Sequence, residues 1–487
     1  MKLKELLQGI TVLESTVDPE LNIESVVYDT RKEIRPGSLF VAVSGFSFDG
    51  NSYIPQALAQ GAVAIVTAKK PQMDVPYVLL ESDRLALAMI ATNYFGHPAR
   101  SMTMIGVTGT NGKTSVTLLT KHVLEKALGA KVGLIGTTEN LIGDEAVVTE
   151  RTTPTTPESF ELQSLFAKMR DAGCTHCVME VSSHAIALHR VGGIRFDVAA
   201  FTNLTEDHLI FHKTMENYCD TKAQLFSRCE KAVLNRDDDW YDRIRDQADC
   251  DILTTSVRST ADLRAENVNL GAEGISFTAV YNDQQAQVTV PIPGKFTVYN
   301  ALTVLGLSMQ MGISLKDAAQ ALQTAPGVKG RVEVVPTPGK PYTVLIDYAH
   351  TPDGLENVLS SVRNFCKGRL IVVFGCGGDR DRSKRPVMGK IAVKIADLAV
   401  ITSDNPRNEA PMDIISDILE GVQGEADSYV VIEDRRQAIR YAMDKAEKDD
   451  IIVLAGKGHE TYQQIKGVKY PLDERTVVAD YLREGEN

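Results

Sequence analysis

The residues Gly106-Val-Thr-Gly-Thr-Asn-Gly-Lys-Thr114 constrain this chain more than any other stretch. They follow an apolar run that starts at Met102 and precede a helical pattern. A glycine loop between a strand and a helix lets backbone N–H groups converge on phosphate oxygens, and the helix N-terminus adds its positive dipole. Gly109, Thr110, Asn111, Gly112, Lys113, Thr114 and Ser115 therefore form a candidate nucleotide cradle. Lys113 is expected to bridge the β- and γ-phosphates of ATP, and the Thr114 hydroxyl to face Mg²⁺. The strict phosphate-loop spacing wants glycine where Val107 stands, so this loop is a variant of the common one. The competing reading is a plain glycine turn.

A strand, a loop and a helix of this kind belong to an α/β fold. The chain has 487 residues, too many for one core, and its length points to about three domains. The pattern breaks near Gly96-His97-Pro98 and again at the Pro- and Gly-rich stretch from Pro326 to Pro341. These breaks give zones at 1–98, 99–330 and 331–487. In the last zone, apolar runs recur at Thr343–Ile346, Leu370–Phe374, Leu398–Ile401, Tyr429–Ile432 and Ile451–Leu454, separated by helical stretches. Strands apolar on both faces that alternate with helices predict a doubly wound, Rossmann-like sheet. The central zone is expected to carry a mostly parallel sheet around the phosphate loop.

Bulk properties remove several function classes. A net charge of -12 argues against a nucleic-acid footprint. No apolar run reaches the roughly 18 to 20 residues of a membrane span. The N-terminus MKLKELLQGI reads as a short amphipathic helix without the features of a signal peptide. Seven scattered cysteines, with Cys174 and Cys177 as a lone C-x-x-C, do not make a four-ligand zinc site. A cytoplasmic, reduced monomer acting on small molecules is the expectation.

The central zone offers further chemistry. Glu180 ends an apolar strand beside the phosphate loop, where a carboxylate can hold Mg²⁺ directly or through water; the alternative is that it and Ser182-Ser183-His184 form a helix-capping cluster. A second strand runs into Asp207 and His208, and a polar helical stretch carries Lys222, which by itself reads as a surface lysine.

The order of these pieces, G-T-N-G-K-T, E-V-S-S-H, F-T-N-L-x-x-D-H and Y-x-x-x-K, closely resembles the central domain of the Mur ligases, the ATP-dependent enzymes that build the peptidoglycan peptide stem. The resemblance covers nearly the whole chain. Y-D-T-R at Tyr28, P-G-S-L-F-V-A at Pro36 and Asp49-Gly50 extend it forward. D-Y-A-H-T-P-D at Asp347, F-G-C-G-G-D-R-D at Phe374, D-N-P-R at Asp404 and G-K-G-H-E at Gly456 extend it to the end.

The resemblance implies roles for matching residues. Thr114 and Glu180 would hold one Mg²⁺, and His208 with Lys222, as a carbamate, a second. With Lys113 these form the implied catalytic set. Asn300, Arg331 and Asp347 look like adenine, phosphate and ribose contacts of ATP. Tyr28, Thr30, Phe46, Ser47 and Phe48 match UDP-sugar positions; Thr152, Thr153, Ser182 and Arg190 match positions around the sugar-peptide. Arg380, Asp404, Asn405, Pro406, Arg407, Gly456 and Glu460 resemble contacts to the incoming amino acid. Arg407 is suited to the distal carboxylate of meso-diaminopimelate, and Glu460 to its distal ammonium.

The implied reaction is ATP-dependent addition of meso-diaminopimelate to the D-glutamyl carboxylate of UDP-MurNAc-L-Ala-D-Glu through an acyl phosphate. The alternatives are a lysine-adding or other Mur or folylpolyglutamate ligase, and an ATP-driven switch that ligates nothing. Asn405-Pro406 can also be read as a simple turn, and Gly375-Cys376-Gly377-Gly378 lacks the G-x-G-x-x-G spacing of an NAD site.

Overall fold

The computed structural model describes residues 1–45, 49–147, 153, 155–271, 273–422, 424 and 428–484. Phe46, Ser47, Phe48 and Thr152 lie outside them. The chain forms three α/β layers, each around its own sheet, and a small hairpin.

In the first layer, strands Ser25–Val27, Ser38–Val41, Ala62–Thr67 and Tyr77–Leu80 run parallel, and Val12–Ser15 closes the edge antiparallel to Tyr77–Leu80. The N-terminal amphipathic stretch gives a single helical turn, Leu3–Leu6, whose two leucines are buried.

The central layer is an eleven-stranded sheet. Strand Thr103–Thr108 lies between His176–Glu180 and Phe196–Phe201, parallel to both. The parallel run continues outward through Cys229–Asn235, Asp251–Ser256 and Leu263–Gly271 on one side and Val132–Ile135 on the other. Antiparallel strands close both edges: Gly274–Tyr281 and Gln284–Val290 at one end, Asn140–Ile142 and Glu145–Ala146 at the other. Val107 is a fully buried core residue of the central strand, which accounts for a β-branched side chain where the stricter loop has glycine. Helices Lys113–Leu128 and Lys295–Gln310 cover one face through a shared core of Val116, Leu119, Val123, Ala301 and Leu305. Cys174 and Cys177 are buried in the core of the opposite face, where burial raises both thiols and leaves them unreactive.

In the last layer the five apolar runs are strands Thr343–Asp347, Leu370–Phe374, Leu398–Ile401, Tyr429–Val431 and Ile451–Ala455. All are parallel, with Ile451–Ala455 inserted between the first two. That insertion creates a topological switch point, and the loops at the carboxyl ends of the flanking strands open a crevice there. Two elements are additional to the sequence reading: an antiparallel edge strand, Glu333–Val335, and the hairpin Tyr462–Ile465/Val468–Pro471. Among the described residues, no helix is long and apolar enough to cross a membrane.

Candidate functional site

The phosphate loop turns at the carboxyl end of Thr103–Thr108 and enters helix Lys113–Leu128. Gly112 sits at φ 85°, and a Cβ there would come within 2.6 Å of Asn300 Oδ1, so a side chain would drive the loop off the helix behind it. Asn300 is thus brought against the cradle. Thr114 and Ser115 are buried in the first turn. Lys113 curls back, its Nζ donating to the Gly109 and Thr110 carbonyls at 2.8 and 2.9 Å.

Lys222 departs from the surface-lysine reading. It belongs to helix Met215–Ala223 but is 1 % exposed, with its Nζ donating to the same Gly109 carbonyl at 2.9 Å. The Tyr218 ring lies 4.6 Å from that Nζ, and the Tyr218 hydroxyl is 3.2 Å from Thr110 Oγ1. Burial, reinforced by Lys113, pushes the Lys222 ammonium well below the usual lysine range.

Glu180 ends its strand beside the loop, paired in register with Val107. It is 1 % exposed, and it accepts from the Thr137 N–H at 2.8 Å and the Thr137 hydroxyl at 2.9 Å. The helix cap is a separate residue: Ser182 Oγ accepts from the Ala185 N–H and caps Ser183–Ala187. The carboxylate of Glu180 is therefore free of capping duty. His208 holds a left-handed backbone at φ 55°, with Nε2 3.3 Å from Asp207 Oδ2 and its ring 4.8 Å from that of His184. Desolvation lowers its pKa, so the imidazole is neutral near pH 7 and keeps a lone pair. Glu180, Asp207 and Arg331 are all close enough to act electrostatically on Lys113.

The donor set suits Mg²⁺, which takes one or two carboxylates together with substrate phosphates. Glu180 and the Thr114 hydroxyl are hard oxygens that could hold one ion. At the second position, Lys222 supplies no anionic donor unless its amine is converted into an acid.

Asp347 accepts from the Val332 and Ala349 N–H groups, both at 2.8 Å, and burial raises its pKa. The Arg331 guanidinium stacks 4.9 Å over the Tyr348 ring. The cradle also reaches the last layer through a residue not singled out in the sequence: Asp353 Oδ2 accepts from Asn111 Nδ2 at 2.8 Å and from Thr205 Oγ1 at 3.0 Å.

Between the first and central layers, Tyr28 donates to Glu161 Oε2 at 2.6 Å, and Lys32 bonds the other oxygen at 2.6 Å. Thr30 is buried nearby in sequence. Thr156 gathers the sugar-peptide candidates. Its carbonyl accepts from Thr153 Oγ1 at 2.9 Å and Arg190 Nη1 at 3.2 Å, and its hydroxyl accepts from the Ser182 N–H at 3.1 Å. Glu158 pairs with Arg84 at 3.4 Å and Arg190 at 3.5 Å. Thr156, Glu158 and Glu161 escaped the sequence reading, although the doubled T-T-P at 152–157 marks the place.

The crevice of the last layer collects the remaining candidates. Asn405 Nδ2 donates to Glu460 Oε2 at 2.8 Å. Lys457, fully buried and absent from the sequence reading, donates to Asn405 Oδ1 at 3.2 Å and to Glu460 Oε2 at 3.1 Å. Glu460 thus already has a cation, and an incoming ammonium would share its carboxylate. Burial pushes Asp404 upward, and Lys457 with Arg435 more than offset it. At Gly456 a Cβ would lie 2.7 Å from Asp404 Oδ2. Asp404-Asn405-Pro406 is a turn that also presents Arg407, held at φ 51° by the hairpin: its N–H donates to the Gln464 carbonyl and its own carbonyl accepts from Lys466. Arg407 Nη1 donates to the Gly378 carbonyl at 2.8 Å. Burial and the neighbouring Arg407 lower the Arg380 guanidinium. Arg380 Nη1 donates to the Asp379 carbonyl at 3.1 Å, and among the described residues neither arginine has a carboxylate partner within salt-bridge range.

Family comparisons agree along the chain. Residues 22–95 match the Mur ligase family catalytic domain, 107–308 the Mur ligase middle domain, and 330–458 the Mur ligase glutamate ligase domain. A UDP-N-acetylmuramoyl-L-alanyl-D-glutamate--2,6-diaminopimelate ligase from Caldanaerobacter subterraneus subsp. tengcongensis is 46% identical, with 100% of each chain covered. A solved structure of a ligase of the same description has a TM-score of 0.72 at 30% identity, covering 100% of this chain and 99% of the other. The MurF ligase of Thermotoga maritima, solved in complex with ADP, shares the fold at a TM-score of 0.65 and 19% identity, with 96% and 98% covered.

Proposed function

The chain belongs to the Mur ligase family, and from that membership we propose that it joins meso-2,6-diaminopimelate to the D-glutamyl carboxylate of UDP-MurNAc-L-Ala-D-Glu. It is an ATP-dependent, amide-forming ligase of peptidoglycan precursor synthesis. The observation that carries the choice of amine is Arg407 beside Arg380, two guanidiniums that have no carboxylate within salt-bridge range among the described residues.

A carboxylate is a poor acyl donor because oxide would have to leave. In the proposed sequence a D-glutamyl oxygen attacks the γ-phosphorus, the bond to the β-phosphate oxygen breaks, and ADP departs. Lys113 swings from the Gly109 and Thr110 carbonyls onto the transferred phosphoryl group and neutralises the charge spread over its oxygens. Thr114 and Glu180 would hold one Mg²⁺, and His208 with carbamylated Lys222 another. Bound there, the ions supply Lewis-acid neutralisation of phosphate charge. Arg407 and Arg380 grip the distal carboxylate of the diamino acid and aim its reacting amine. That amine attacks the acyl carbon, phosphate leaves, and one proton is lost. The Asp353 contacts to Asn111 and Thr205 close the third layer over the loop and keep water from the acyl phosphate. Thr153, Ser182 and Arg190, grouped around Thr156, would orient the sugar-peptide, with Tyr28 and Thr30 toward its nucleotide. The enzyme is proposed to act as a cytoplasmic monomer on these small-molecule substrates.

The test is direct. With UDP-MurNAc-L-Ala-D-Glu and ATP, the mass of the product should rise by one diaminopimelate residue, and oxygen-18 from the acceptor carboxylate should appear in the released phosphate. Equal use of L-lysine, or phosphate free of label, would overturn the reading. Lys222→Ala should lose activity by about ten- to a hundredfold, on the scale of perturbed metal sites. Added short carboxylates should restore part of it by occupying the space of the lost acid. Full activity without added carboxylate would remove Lys222 from the site.

A further inference from the structure

Arg385, in the first turn of helix Lys384–Ile395, is completely buried. Its Nη1 donates to Glu409 Oε2 at 2.9 Å and to Asp417 Oδ2 at 2.8 Å, and its Nη2 donates to Glu409 Oε1 at 2.8 Å and to the Gly377 carbonyl at 3.3 Å. Both loops that carry the crevice arginines meet at this one guanidinium. Gly377 lies three residues before Arg380, and Glu409 two after Arg407.

The lacing continues between the loops. Glu409 Oε1 also accepts from the Asp379 N–H at 2.6 Å, Asn408 Nδ2 donates to Asp379 Oδ2 at 2.7 Å, and the Gly378 N–H donates to the Asn405 carbonyl at 2.9 Å. A Cβ on Gly377 would stand 2.8 Å from Arg407 Nη1 and 3.8 Å from Arg380 Cγ, so the two arginines flank this residue closely. Two guanidiniums repel one another and need a scaffold to keep them together before an anion arrives. The Arg385 hydrogen bond holds Glu409 at about 2, so the brace stays ionised across the working pH range.

We propose that Arg385 and Glu409 are positioning residues for diamino-acid recognition: they fix the two loops so that Arg380 and Arg407 converge on one distal carboxylate. The inference rests on the proposed diaminopimelate ligation and adds residues that touch no substrate. A bare stabilising role for the buried pair predicts something different: weaker folding, with all three substrates affected alike.

Glu409→Gln keeps shape and removes charge at a partly exposed side chain, and Arg385→Lys keeps charge and removes the fork. KM for meso-diaminopimelate should rise about tenfold or more, because small losses of geometry at a two-point site cost this much. KM for ATP and for the sugar-peptide should stay within about twofold, and the preference for diaminopimelate over L-lysine should fall. In an Arg407→Ala background, Glu409→Gln should change that preference no further, as expected of residues acting through one another. Should Arg385→Lys not fold, Glu409→Gln carries the test. An unchanged KM for diaminopimelate, a parallel rise of all three constants with a lowered melting temperature, or a full effect persisting without Arg407 would each overturn the proposal. Wild-type enzyme that ignores diaminopimelate would refute the ligation reading itself; wild-type use with indifferent variants refutes this inference alone.

Discussion

Lys113→Ala should release phosphate at least about a hundred- to a thousandfold more slowly than the wild type, the usual effect of removing one preorganised donor from a charge-developing transition state. The side chain rests on the Gly109 and Thr110 carbonyls, in the first turn of the helix that follows the loop. Its replacement leaves the loop glycines and the helix dipole intact, so ADP affinity should change far less than turnover. Rapid-quench measurement of acyl-phosphate formation, alongside equilibrium binding of ADP, separates the two. Equal losses in both would mean that Lys113 only helps nucleotide to bind.

Arg407→Ala should cost about 2–5 kcal/mol in kcat/KM for meso-diaminopimelate, the range for truncating one member of a buried hydrogen-bonded charge pair. L-lysine has no distal carboxylate, so its poor use should barely change and the preference between the two amines should collapse. Arg407→Lys should recover little, since a point charge cannot reproduce two parallel N–H bonds to a carboxylate. Competition between the two amines, read by product mass, gives the ratio without separate kinetics. A preference that survives both substitutions would assign the carboxylate to Arg380.

The parts visible in the sequence were those in which one residue type has one physical use. Strands buried on both faces read as unbroken apolar runs, and each run in the last zone is a strand within a residue of its expected end. The hairpin Tyr462–Pro471 was illegible because its first strand is half-exposed, its second fully exposed, and they mix Gln, Lys and Tyr without alternation. Lys222 misled for the opposite reason: its helix is polar overall, and its burial comes from the phosphate loop packed over it, a contact 113 residues away in sequence. Lys457, Asp353 and Arg385 were hidden similarly, each an ordinary polar residue given work by a partner on another element. The helix-cap alternative falls to Ser182, whose hydroxyl accepts from the Ala185 N–H, while Glu180 accepts from Thr137.

The seam at Asp353 bears on how such an enzyme can be stopped. A single carboxylate from the last layer satisfies both the amide of the nucleotide loop and the hydroxyl of Thr205. A small anionic compound that took the place of that carboxylate would engage Asn111 of the nucleotide loop and hold the last layer off it. Inhibition of that kind would act at the nucleotide loop, apart from the groups gathered around Thr156 and around Glu460. Resistance to it would be expected at the joint itself, at Asp353, Asn111 or Thr205.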